Sequence, residues 1–401
     1  MSRSRALSFT LATVSAAVLA GCVADAANSG DGMVMGNSIT GEGIPNPAPT
    51  TTANWGQLPA GRPMGTTAGM DIDPNDGHVW TYERCGQGAL NAAPATPPAG
   101  GGGGGGFGGA NCSTDPTHPP VYKFDRNTGE ILANFGAGVM VTPHGIGVDP
   151  QGNVWVTDFA RSADGTKGHQ VHKFSPTGEL LMSLGIAGQP GNADGQFNEP
   201  NDVIVAPDGS IFVSDGHSGQ GMTTQQALNA GREAGQTARI SKFSPDGTFI
   251  SSWGQLGTLH GEFRTPHSMA FDSQGRLWVA DRGNHRLEIF DQEGNYLDSR
   301  YQYGRISGVF ITPDDMVYAI DSESGALNHT NWVNGVRIGH VDSDWITGFI
   351  PAFPAETRPY QGAAGEGIAV DADGNVFVAE GPNSMRFAGG PFTKYSVAGG
   401  M

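Results

Sequence analysis

Two distant segments of the chain spell nearly the same words: Thr142–Asp158 reads TPHGIGVDPQGNVWVTD and Thr265–Asp281 reads TPHSMAFDSQGRLWVAD. Self-similarity of this kind restricts the fold more than composition does, because each repeat is a supersecondary unit that buries its apolar face only against its neighbours. The shared unit is a short apolar strand, a polar D-x-x-G turn and a second strand ending in an acid. Gly69–Glu83, Gly145–Asp158, Asp202–Asp215, Ser268–Asp281, Gly308–Asp321 and Gly367–Glu380 all fit it. Third strands are expected at Val121–Phe124, Gln170–Phe174, Arg239–Phe243, Arg286–Phe290, Gly335–Gly339 and Phe392–Tyr395. Period-two alternation, Val, Ile, Phe and Trp in the strands and Asp-Gly turns between them are hairpin signals. One insert, Gln225–Ala234, reads as a short helix. Six such sheets in one chain close most economically into an all-β, six-bladed β-propeller forming a single domain over 66–401.

The segments before the repeats read differently. Residues 1–21 carry two arginines, a short apolar run and a small-residue ending, which is the pattern of a secretory signal. Leu19-Ala20-Gly21-Cys22 resembles a bacterial lipobox, which implies a lipid on Cys22; an ordinary signal with a chance cysteine is the alternative. The expected location is the bacterial cell envelope, with the membrane reached only through that anchor. Residues 22–65, rich in Ser, Thr, Gly, Asn and Pro, read as a disordered tether, and 94–110, with Gly100–Gly106 unbroken, as a flexible loop. Cys85 and Cys112 flank that loop, and in an oxidising compartment the pair is expected as a disulfide, with two buried thiols as the alternative. A net charge of −17 and no lysine or arginine block exclude nucleic acid as a partner.

The residue just before each first strand is expected at one mouth of the central channel. Around the repeats it is Ala68, His144, Asn201, His267, Ser307 and Glu366. His144, His267 and Glu366 fall on alternate units, so they point at the axis as a three-fold set, and two imidazoles with a carboxylate form a ligand set used by catalytic zinc and by iron(II). The second strand returns to the same mouth. The acid that ends it in every unit reads as a turn residue, whereas Arg84, His217 and Arg282 vary where the frame repeats, as site residues do. Two guanidiniums suit a substrate carboxylate.

The stretches PHGIGVDPQGNVWVTD, DVIVAPDGSIFVSDGHSG, RISKFSPDGTFISSWG and PHSMAFDSQGRLWVADRGNHRLEIF resemble NHL-repeat propellers, and more narrowly the peptidyl-α-hydroxyglycine α-amidating lyases. The resemblance implies a zinc on channel histidines, matched here by His144 and His267, and two arginines, matched by Arg84 and Arg282. It also implies a structural calcium, with Met70 and Ile146 offering carbonyls. Three positions depart. Glu366 stands where the family has its third zinc histidine, Gly367 where it has a calcium-binding aspartate, and His217 where it has a catalytic tyrosine, which gives His217 the role of general base.

These readings imply a metal-dependent, lyase-like enzyme acting on a small-molecule or peptidyl substrate at the channel mouth. The alternatives are a non-catalytic envelope propeller that binds protein or glycan, and a lactonase-like hydrolase. The sequence has no nucleophile elbow, phosphate loop or dinucleotide fingerprint.

Overall fold

The computed structural model of the protein describes residues 36–57, 64–86, 112–217, 219, 222, 225–226, 237–325, 329–353, 364–381 and 384–397. Cys22, the signal at 1–21, the Gly-rich 94–110 and most of the expected helix at Gln225–Ala234 lie outside them. Among the described residues no helix is long and apolar enough to cross a membrane.

Six four-stranded antiparallel sheets form six blades. The innermost strands are Met70–Ile72, Pro143–Val148, Pro200–Val205, Pro266–Phe271, Ile306–Ile311 and Gly367–Val370. Each touches the innermost strands of both neighbours, and the ring closes between the first blade and the sixth. Second and third strands lie where the repeat places them, with the second strands at Val79–Tyr82, Val154–Asp158, Ile211–Asp215, Leu277–Asp281, Met316–Asp321 and Val376–Ala379.

Each blade has a fourth strand that the sequence reading did not assign. Five are the half-exposed runs Ile131–Phe135, Leu180–Leu184, Phe249–Trp253, Tyr296–Arg300 and Ile346–Pro351. The sixth is Thr50–Ala53, which pairs antiparallel with Phe392–Ser396, Thr50 opposite Ser396. The expected tether is corrected over this stretch. The start of the chain completes the last blade, so the ring is latched by backbone hydrogen bonds between its two ends. Trp55 follows that strand into a core with Phe124, Phe377 and Phe392, which joins the sixth blade to the first.

The core lies between blades. Trp80, Tyr82, Val121 and Phe135 of the first blade pack on Ile146, Val154, Val156 and Phe174 of the second, and each following pair repeats the scheme. A turn aspartate fastens each of the Trp-bearing repeats. The Trp80, Trp155 and Trp278 indoles donate to Asp73, Asp149 and Asp272 at 3.0, 3.1 and 2.9 Å. The same carboxylates accept turn amides, Asp149 taking those of Gln151 and Asn153.

The acid that ends every second strand is a structural group, as its recurrence suggests. Asp158 accepts the Val141 and Thr142 amides at 3.0 and 2.7 Å, and Asp281 accepts that of Arg264 at 2.7 Å. Asp215, Asp281 and Asp321 also face Arg239, Arg286 and Arg337 of the third strands at 3.6, 3.0 and 3.5 Å. Burial pushes the carboxyls of Asp158 and Asp215 up to about 7 against these favourable contacts.

Close approach of the innermost strands depends on small residues. A Cβ at Gly147 would lie 2.3 Å from the Val203 carbonyl oxygen, a backbone atom that cannot swing aside. Gly147→Ala should therefore force the second and third blades apart and cost about 1–3 kcal/mol in denaturant unfolding. No measurable loss would mean that this contact is slack.

Candidate functional site at the channel mouth

Strand geometry delivers the site. Pro143 pairs with Asp158 and Pro266 with Asp281, so the start of each first strand and the end of each second strand share one mouth. A register irregularity after Pro143 and after Pro266 falls at His144 and His267, where a bulge re-aims the side chain. The His144 Nδ1 lies 3.0 Å from the Asn201 carbonyl oxygen and the His267 Nδ1 2.6 Å from that of Ser307. Each carbonyl can only accept, so both Nδ1 atoms carry the proton and both Nε2 atoms present a lone pair.

The third imidazole is that of His217. Gly216 delivers it: its φ of +107° is the left-handed region, and a Cβ there would lie 1.9 Å from the Thr237 carbonyl oxygen. Ring centroids lie 4.9 Å apart for His144 and His267, 5.3 Å for His144 and His217, and 5.5 Å for His217 and His267. One ligand atom from each of the three lies within 4.8 Å of the others. Glu366 is outside that group, its Oε2 standing 3.8 Å from His267 Nε2. The mouth thus gathers His144 and His267 with His217, where the sequence pointed to Glu366 as the third ligand and to His217 as a base.

Burial and nearby cations decide the protonation state. Desolvation first, then Arg282, the neighbouring imidazole and Arg84, hold His217 well below the ordinary histidine range; burial and guanidiniums do the same to His144 and His267. All three are neutral at neutral pH and can ligate without first losing a proton. His267 Nε2 is buried and has no hydrogen-bond partner among the described residues. A buried nitrogen lone pair without a donor is costly, and a cation would satisfy it. The residues fit a metal on that observation, with His144, His217 and His267 as the holding set.

Arg84 and Arg282 flank the group, each 1 % exposed. Arg84 Nε donates to the Pro143 carbonyl at 3.1 Å. Arg282 Nη1 donates to Ser307 Oγ at 3.2 Å, and its Nη2 donates to His217 Nε2 at 2.8 Å. That nitrogen has one lone pair, so Arg282 and a metal compete for it.

Sequence reasoning missed three parts of the mouth. Phe159 stacks on His144 at 5.0 Å and meets His217 edge-on at 5.2 Å. Asn201, already noted only as a repeat position, bonds the Gly216 and Pro266 carbonyls at 2.9 Å each and so ties the third blade to the fourth. Arg305 is 1 % exposed, donates to the Arg282 carbonyl at 3.2 Å and faces Glu323 at 3.8 Å. Phe159 was open to inference, since it follows Asp158 as Arg282 follows Asp281.

Met70, Ile146 and Gly367 line the axial cavity below the mouth, about 190 Å³, together with two carboxylates, half-buried Asp71 and buried Asp202. Asp71 accepts the Val148 amide at 2.7 Å and Asp202 that of Met269 at 2.9 Å, so each fastens its blade to the next. Cys85 and Cys112 are joined as a disulfide next to Arg84.

Comparison with known proteins gives this geometry a setting. Residues 263–290 match the NHL repeat. The chain is 33% identical over 267 residues to a peptidyl-glycine alpha-amidating monooxygenase B of Xenopus laevis, a match covering 64% of this chain and 27% of the relative. It is 33% identical over 174 residues to peptidyl-alpha-hydroxyglycine alpha-amidating lyase 1 of Drosophila melanogaster, covering 40% of this chain and 27% of that protein. A human NHL repeat-containing protein 3 is 35% identical over 153 residues, covering 37% of this chain and 39% of that one. The chain therefore spans well under half the length of each of these relatives. Among solved structures, one provisionally described as a gluconolactonase superposes with a TM-score of 0.50 at 14% identity, over 88% of this chain and 94% of its own, a likeness of fold.

Proposed function

We propose that the protein is a metal-dependent lyase of the α-hydroxyglycine amidating type, acting at the channel mouth on a small N-acyl or peptidyl substrate. The observation that carries the reading is the group of three buried imidazoles, one with a buried nitrogen that has no hydrogen-bond partner among the described residues, set between two buried arginines. The relative named as a peptidyl-alpha-hydroxyglycine alpha-amidating lyase supports it.

In the reaction proposed, the bond between the amide nitrogen and the carbinol carbon breaks. The hydroxyl oxygen becomes the aldehyde of glyoxylate, and the hydroxyl proton ends on the departing amide nitrogen, so no outside reactant is required. His144, His217 and His267 would hold the metal, which when bound supplies a Lewis acid that favours loss of the hydroxyl proton. Arg84 and Arg282 hold the carboxylate, a planar anion that a guanidinium meets with two parallel hydrogen bonds. Their burial keeps that pairing out of bulk water, where it would be weaker. Phe159 closes one wall against His144 and His217 and keeps solvent from the rings.

The test is direct. Zinc-loaded full chain incubated with N-benzoyl-α-hydroxyglycine should form benzamide and glyoxylate in equal amounts, and prior removal of metal by chelation should abolish both. Product formation unaffected by chelation would remove the metal from the account. No product from any N-acyl-α-hydroxyglycine by the zinc-loaded chain would remove the lyase.

A further inference from the structure

Glu366 holds a carboxylate that still reaches the mouth and has unfinished bonding. The residue is 9% exposed, and its carboxylate approaches His267 Nε2 at 3.8 Å and Arg282 Nη1 at 4.0 Å. Both distances exceed a hydrogen bond, and no hydrogen bond reaches either oxygen among the described residues. The other side of the carboxylate is cradled by glycine: a Cβ at Gly381 would lie 2.5 Å from Glu366 Oε1. A carboxylate accepts through both oxygens, so the Glu366 group at the mouth has acceptor capacity left for a donor on an incoming molecule. Its neighbours are the proposed metal-holding His267 and the anion-holding Arg282.

We propose that Glu366 is a specificity-determining residue that accepts a hydrogen bond from a substrate N–H next to the reacting carbon, so that the mouth selects N-acyl substrates over their O-acyl and lactone counterparts. This rests on the lyase reading of the same mouth and deepens it. The geometry separates two chemistries that the fold alone accommodates. An ester oxygen at the position of the amide nitrogen would bring no hydrogen to the Glu366 oxygens. Sites built to bond a substrate donor reject the analogue that lacks it far more strongly than apolar pockets reject a missing methylene.

Hippurate and benzoyloxyacetate make the comparison with unreactive probes, since they differ only in N–H against O and both carry the carboxylate for the arginines. By calorimetry on the zinc-loaded full chain, hippurate should bind roughly 10-fold or more tightly than benzoyloxyacetate. Glu366→Ala should bring the ratio to about one while keeping zinc. Gly381→Ala, which displaces the carboxylate without removing it, should reduce the ratio as well and guards against a folding defect in the first variant. Equal binding of the two probes by the unaltered chain, binding of neither, or an unchanged ratio in Glu366→Ala would overturn the proposal. Loss of zinc in Glu366→Ala would also overturn it, by making Glu366 a ligand. Absence of zinc from the unaltered chain would defeat the metal reading instead, and the probe ratio on that same protein would still decide the role of Glu366.

Discussion

Replacing His217 with alanine should abolish zinc uptake, while replacing Glu366 with alanine should not. The three imidazoles present ligand atoms within 4.8 Å of one another, and Glu366 is not among them. Disturbing even an outer partner of a metal ligand weakens affinity by 10–100-fold, so loss of one ligand of three should weaken it by roughly 100-fold or more. His144→Ala and His267→Ala should behave like His217→Ala. Arg282 sharpens the expectation, because it donates to His217 Nε2, so a metal taken up at that nitrogen would have to displace it. Arg282→Ala should bind zinc at least as tightly as the unaltered chain while losing affinity for a carboxylate ligand. Elemental analysis of each variant, with circular dichroism to confirm folding, decides between the ligand sets. Zinc kept by His217→Ala and lost by Glu366→Ala would restore the two-histidine, one-carboxylate set.

The second large effect is on stability. Trp155 is 1% exposed, donates to Asp149 at 3.1 Å and lies with Lys173 Nζ 5.0 Å from its ring. Asp149 in turn faces Lys173 at 3.2 Å. Trp155→Ala empties a core position between the second and third blades and removes a donor from a buried carboxylate. The expected cost is about 3–5 kcal/mol in urea unfolding, with Trp155→Phe losing a smaller part of it. A loss under about 1 kcal/mol would mean that the turn aspartate and its indole partner do not hold the blade as described.

Much of the fold was legible because the repeat writes it. Each Trp-bearing turn, each terminal acid and each first strand recurs at a fixed place, so strand order and the shared mouth follow from alignment of the chain with itself. The fourth strands were harder, for a physical reason. Leu180–Leu184 and Tyr296–Arg300 sit at blade edges largely exposed, with neighbouring residues open to water on both faces, so they carry little of the alternation that marks a strand. Thr50–Ala53, three threonines and an alanine, has no apolar alternation and is a strand because Phe392–Ser396 offers it an edge. Ring closure is a long-range pairing that no local pattern records.

The mouth was legible by position and less so by role. His144, His267, Arg84, Arg282 and His217 all arrive where the repeat sends them. What alignment does not encode is how far a side chain reaches. Glu366 occupies the repeat position of the two histidines, yet its carboxylate rests over Gly381, while His217, from the end of a second strand, enters the imidazole group through the left-handed turn at Gly216. The guanidinium that donates to His217 is likewise a contact between blades, visible only once both are placed.

The measurement that tests the central claim most directly is X-ray absorption at the zinc edge on the full chain, purified without chelator and loaded with one equivalent of zinc. The account predicts a first shell of three imidazole nitrogens completed by oxygen, and its conversion on His217→Ala to a shell with fewer imidazoles. A chain that takes up no zinc, or zinc whose shell is the same with and without His217, would contradict it.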